Sequence, residues 1–98
     1  MASSVTTTGK ARWNAADLSD TAQAVFEGGR WVTGVVVNGC AAAEIVILRA
    51  TADTPEYMRI SVAIAGFVAV PFRWFAEGGL EAITASAAGD VNITVVYE

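Results

Sequence analysis

Two stretches of this chain alternate between apolar and other residues with a period of two, and that period restricts the fold more than any other feature. In YMRISVAIA, residues 57–65, Met58, Ile60, Val62 and Ile64 fall on one face, while Tyr57, Arg59 and Ser61 fall on the other. In VNITVVYE, residues 91–98, Val91, Ile93, Val95 and Tyr97 share a face, opposite Asn92 and Thr94. Successive side chains of a strand point to opposite faces of its sheet. Both segments therefore read as strands with one face turned to a core.

Further short β segments lie between turn signals. TAQAVFE, from Thr21, ends at Gly28–Gly29 and RWVTGVVV follows at once, which reads as a hairpin. EIVILRA, FVAVPFRWF and LEAITAS complete the set, separated by TADTPE, Gly66, Glu77–Gly78–Gly79 and AAGD. The closing segment Gly79–Glu98 reads as two strands around a small turn. Pro71 lacks a ladder donor, so its strand is expected at an edge or bulged there. About seven strands spaced in this way, rich in β-branched residues and without a helical segment, predict an antiparallel β-sandwich over residues 21–98. Met58, Ile60, Val62, Val91, Ile93 and Val95 are its expected core.

Residues 1–20, MASSVTTTGKARWNAADLSD, sustain neither period and offer only Val5, Trp13 and Leu18 as larger apolar anchors. They read as an irregular N-terminal arm. Fixing them would cost roughly 20–40 kcal/mol of backbone entropy at about 1–2 kcal/mol per residue. Three anchors on a small domain cannot offset that. The arm is expected to order on a neighbouring subunit, through Trp13, with Lys10 and Arg12 meeting acidic groups.

The chain is a single domain in which 54% of residues are hydrophobic and 16% charged, a balance that leaves apolar surface for a partner and predicts self-association. Both faces of FVAVPFRWF are apolar near its end, so Phe72, Trp74 and Phe75 are the expected subunit contacts. Six basic against ten acidic residues give a net charge of −4 with no basic face, which argues against nucleic acid. No apolar run is long enough to span a bilayer, and the N-terminal residues lack the apolar core of a leader, so a soluble protein made in a cytoplasm is expected.

Several chemistries lack their residues. The chain has no His and one Cys, Cys40, so neither a zinc centre nor a Ser–His or Cys–His catalytic arrangement can be assembled. Cys40 reads as a small apolar side chain. Asn14, Asp17 and Asp20 fall short of a calcium loop, and Ser4 stands where a phosphate-binding loop ending at Gly9–Lys10 needs glycine. Asn92–Ile93–Thr94 lies mid-strand and reads as a chance match to a glycosylation acceptor. Glu44, Glu77, Glu81 and Asp90 are the candidates for paired carboxylates, with a solvated face as their expected place. Neither catalysis nor a metal or cofactor is expected. Trp31 or Trp74 would serve a different class of function, a small carbohydrate- or peptide-binding β module.

Val70–Pro71–Phe72, Gly78–Gly79–Leu80, Gly89–Asp90 and Val95–Val96–Tyr97, with a weaker match over Trp31–Gly39, form a series of strand and turn motifs across most of residues 30–98. In this series the chain resembles the small all-β structural virion proteins of tailed bacteriophages. The resemblance implies a jelly-roll-like sandwich and a homotrimer. It further implies a role in capsid decoration (cement) on the outer surface of the head, bound to the major capsid protein or another virion protein, or as a tail, neck or fibre component. It carries over no functional residue, because the matching positions are architectural.

Overall fold

The computed structural model describes residues 2–7, 10–38, 43–63, 66–71, 73–86 and 91–98, with residues 2–7 and 10 described by their backbone. Ten strands run β1 (Ala2–Thr7), β2 (Lys10–Leu18), β3 (Gln23–Phe26), β4 (Arg30–Asn38), β5 (Glu44–Arg49), β6 (Glu56–Val62), β7 (Phe67–Val70), β8 (Trp74–Ala76), β9 (Leu80–Thr84) and β10 (Val91–Tyr97). They form two antiparallel sheets. The first has the order β1-β2-β10-β4-β7, with β8 also paired to β4, and the second has the order β3-β9-β5-β6. Among the described residues there is no helix.

One apolar core joins the two sheets. Trp13, Leu18, Val32, Val35, Val37, Val91, Ile93 and Val95 enter it from the first sheet, and Val46, Leu48, Ile60, Val62 and Leu80 from the second. The alternation in residues 57–62 and 91–97 selects the inward residues as expected, with Met58 half-buried against the core. Ile64 lies outside the described residues.

The irregular arm is not what the structure contains. Residues 10–18 are an interior strand, β2, paired on one side with β1 and on the other with β10, Trp13 opposite Val95 and Ala15 opposite Ile93. Trp13 is 3% exposed and Leu18 is fully enclosed. The ordering entropy is met within the chain, because β2 fills one edge of β10 and drives its largest side chain into the shared core. The boundary at residue 20 therefore does not separate an arm from a sandwich.

The expected hairpin of residues 21–37 is not formed, and the two closing strands do not pair with each other either. β3 pairs with β9 while β4 pairs with β10, and β9 and β10 belong to different sheets. The glycine turn after Phe26 thus carries the chain from one sheet to the other, and β9 and β10, though consecutive, also lie in different sheets. Only β1–β2 and β5–β6 pair as neighbours in both sequence and space among the described strands.

The strand expected across Pro71 is two strands, as its missing donor requires. β7 pairs with Val35–Asn38 and β8 with Arg30–Val32, so the two halves lie along one strand with Pro71 in the break. This division and the two strands before residue 20 raise the expected seven to ten. The turn into β9 is fixed at Gly79, with φ 82°, where a Cβ would lie 3.0 Å from the carbonyl oxygen of Phe26. The Tyr57 hydroxyl donates to the Gly79 carbonyl at 3.0 Å and accepts from the Gly78 N–H at 2.8 Å, which ties that turn to β6.

Trp13→Ala is expected to lower unfolding stability by about 3–5 kcal/mol, the usual cost of emptying a large aromatic site in a core. Deleting residues 2–20 is expected to abolish the cooperative thermal transition, since it exposes one edge of β10. Calorimetry and circular dichroism melts check both. A truncated chain that melts like the full one would show β2 to be dispensable.

Candidate interaction face

The two sheets treat their outer faces differently. On the second sheet, Ile45, Ile47 and Ile83 point away from the core, and Ile47 faces Arg59 on one side and Ile83 on the other. Ile47 is nonetheless only 8% exposed. Arg59 and Ile83 flank it across the strands and Arg49 follows it on the same side of β5. Arg49 Nε donates to Glu81 Oε2 at 2.5 Å and its Nη2 lies 3.2 Å from Asp53, while Arg59 donates twice to Glu56. Long arginine stems lie over apolar surface while their heads find carboxylates.

The outer face of the first sheet has no such cover. Asn14, Thr94, Val36 and Ala69 form one row across β2, β10, β4 and β7. Asn92, Asn38 and Phe67 form the next row. At one end Trp31 pairs across strands with Phe75, their rings edge to face with centroids 5.2 Å apart. Phe67 is 65% exposed, Phe75 45% and Trp31 39%. The charges of these strands are few: Arg12 and Asp17 on β2 and Arg30 at the start of β4 are exposed, and the Arg73–Glu98 ion pair, 2.9 Å from N to O, lies beside Trp31. Between them lies a sheet of amides, hydroxyls, aliphatics and aromatics. Such groups cost far less to desolvate than charges, and charge-poor, aromatic-rich surface is what interface cores are made of.

The expected contact residues divide. Phe75 and Arg12 lie on this face, whereas Trp13 and Trp74 point inward. Trp74 is half-buried, packs on Tyr57 with ring centroids 5.3 Å apart, and keeps a buried Nε1–H without an acceptor among the described residues. The alternation puts Val68, Val70 and Trp74 on the core side and leaves Phe75 outside. Phe72, Cys40 and Asp90 lie outside the described residues, as does the side chain of Lys10. Trp31 is no bare stacking platform, because the Arg73 guanidinium sits 3.9 Å from its ring centroid.

The carboxylates are used structurally rather than solvated, contrary to the expectation for Glu44 and Glu81. Glu44 is 5% exposed and Glu81 8%. Glu44 shares the inward side of β5 with Val46 and Leu48, and alternation alone would have located it there. Its Oε2 accepts from Ser86 Oγ at 2.6 Å and its Oε1 from the Ile45 and Ser86 amides. Thr84 Oγ1 donates to the Ser86 carbonyl at 2.7 Å, so a polar cluster closes this end of the core. An open depression of about 620 Å³ adjoins it, lined by Glu44, Ser61, Val62 and Ser86 among others. Glu77 is exposed. Glu56 has its carboxyl held below the ordinary value by the Arg59 hydrogen bonds, an exposed surface pair whose contribution fades as pH falls through that lowered value. No three or more His, Cys, Asp or Glu residues gather to hold a metal among the described residues. No described helix is long and apolar enough to cross a membrane.

Compared with protein-family models, curated proteins and solved structures, the chain matches none.

Arg49→Ala is expected to destabilise by about 3 kcal/mol, the lower end for breaking a largely buried ion pair, because Glu81 is left enclosed and unpaired. The double replacement Arg49→Met with Glu81→Leu should recover most of that loss, since the two apolar side chains leave no charge to satisfy. Urea titrations of the three variants distinguish this from a simple loss of packing, in which the double variant would be the worse.

Proposed function

We propose that this chain is a non-enzymatic structural protein of a tailed-phage virion, seated on the particle through the outer face of its first sheet and acting as a decoration, or cement, subunit of the head. The observation that carries the surface role is the contrast between the two faces. One flanks Ile47 with Arg49 and Arg59, each paired to a carboxylate; the other presents Val36, Phe67, Ala69, Trp31 and Phe75 among uncharged Asn and Thr. A broad, nearly uncharged sheet suits a flat protein surface, where many small contacts sum, better than a small ligand, which needs enclosure.

The virion itself enters through the resemblance of the VPF, GGL, Gly–Asp and VVY motifs in residues 70–97. A jelly-roll-like lineage and the major capsid protein as partner are part of the same proposal. The ion-paired and core-closing roles of Glu81 and Glu44 support a non-catalytic reading, because both carboxylates already have structural bonds.

Particles of the phage that encodes the chain should carry it in many copies per head, detected by mass spectrometry of purified virions. On particles stripped of it, the added wild-type chain should rebind. Phe67→Glu and Asn92→Glu, each an exposed position on the face, should weaken that rebinding at least tenfold while leaving the thermal melt unchanged. Ser61→Glu on the other sheet should bind as wild type. Absence of the chain from particles, or equal rebinding by all variants, would overturn the proposal.

A further inference from the structure

Each sheet ends in strands whose outer backbone N–H and C=O groups face no other strand among the described residues, and such edges template pairing with another chain unless something blocks them. In this molecule the edges are β1 and β7 in the first sheet, with β8 beside β7, and β3 and β6 in the second. Three of the four are guarded. β3 has four residues and an irregular register between Ala24 and Phe26. β7 has four residues and stops at Pro71, with the three-residue β8 beyond. β6 presents the exposed Glu56 and Arg59.

β1 carries none of these devices. Its six residues, ASSVTT, contain no charge, glycine or proline. Its register on β2 is unbroken from Ala2–Ala15 to Thr7–Lys10. Val5, Thr6 and Thr7 favour extended backbone. It is the longest regular edge among the described residues.

We propose that this edge joins two copies of the chain, β1 to β1 in antiparallel alignment, so that the first sheet runs on across a two-fold axis. Charge selects the occupant. Each copy carries −4, so two copies repel one another overall and can meet only where charge is absent. About a two-fold axis a strand meets its own sequence, and any charge on it would face its own sign at close range; β1 has none. A strand of another protein chosen by charge would find nothing on β1 to read. The pairing spans about 20 Å at roughly 3.3 Å per residue. One strand pair buries less than the ~1,000 Å² of a standing interface, so the dimer is weak, with a dissociation constant on the order of 10 μM. An isologous edge closes at two copies, and it does not generate the trimer that the phage resemblance implies. The inference is independent of the proposed role on a particle.

Sedimentation equilibrium of the full chain from 1 to 500 μM tests it. The expected mass rises from the 10.2 kDa of one chain towards twice that value. Val5→Lys should raise the dissociation constant at least tenfold with an unchanged circular dichroism spectrum. Hydrogen exchange on the unmodified chain supplies a readout that needs no variant, because the outward amides of β1 should slow as concentration rises. A monomer throughout, a trimer, a dimer indifferent to a correctly folded Val5→Lys, or β1 amides that exchange equally at low and high concentration would each overturn the proposal.

Discussion

β10 exchanges backbone hydrogen bonds with β2 along one edge and with β4 along the other, while Val91, Ile93, Val95 and Tyr97 press into the core beneath it. A strand paired on both edges and buried on one face has its register fixed, since a slip of one residue would exchange Ile93 and Val95 for Asn92 and Thr94. β4 in turn carries β7 and β8, and β2 carries β1, so the placement of every other strand in the first sheet passes through β10. The second sheet closes over the same apolar surface. A tilted contact between Phe26 and Tyr97, with centroids 4.7 Å apart, joins the two sheets near the end of β10.

The strands with an intact period were legible from the residues alone. β6 and β10 announce their inward faces, and Pro71 announces the break between β7 and β8. β2 was hidden for a physical reason. Its inward positions are Trp13, Ala15 and Leu18, spaced two and then three apart, because the register with β10 shifts between Val91 and Ile93. A bulge adds a residue and so erases the alternation on which recognition of a strand depends. With a small Ala in the middle and polar neighbours on either side, the segment looks like a tail.

The crossovers were hidden for another reason. Gly28–Gly29 and the residues after Thr84 show where the chain turns, but turn chemistry does not say whether the next strand lies beside the last or above it. That choice is made by β9, which pairs with β3 and β5, and by β10, which pairs with β2 and β4. The outer face is legible only once this order is known, because Asn14, Thr94, Val36 and Ala69 are far apart in sequence and become one row through three strand pairings. Glu44 was within reach, two residues before Val46 and four before Leu48 on the same side of β5. Its carboxylate invited a solvent reading that the alternation did not support.

The measurement that bears most directly on this account is native-state amide hydrogen exchange resolved by residue. If β10 is held between β2 and β4, the inter-strand amides of Trp13–Ala15 and of Ile93–Val95 should share the slowest class and open only with global unfolding. If residues 10–18 instead exchange within the time of a frayed terminus while β10 and β4 remain protected, β2 is not part of the core and the account fails.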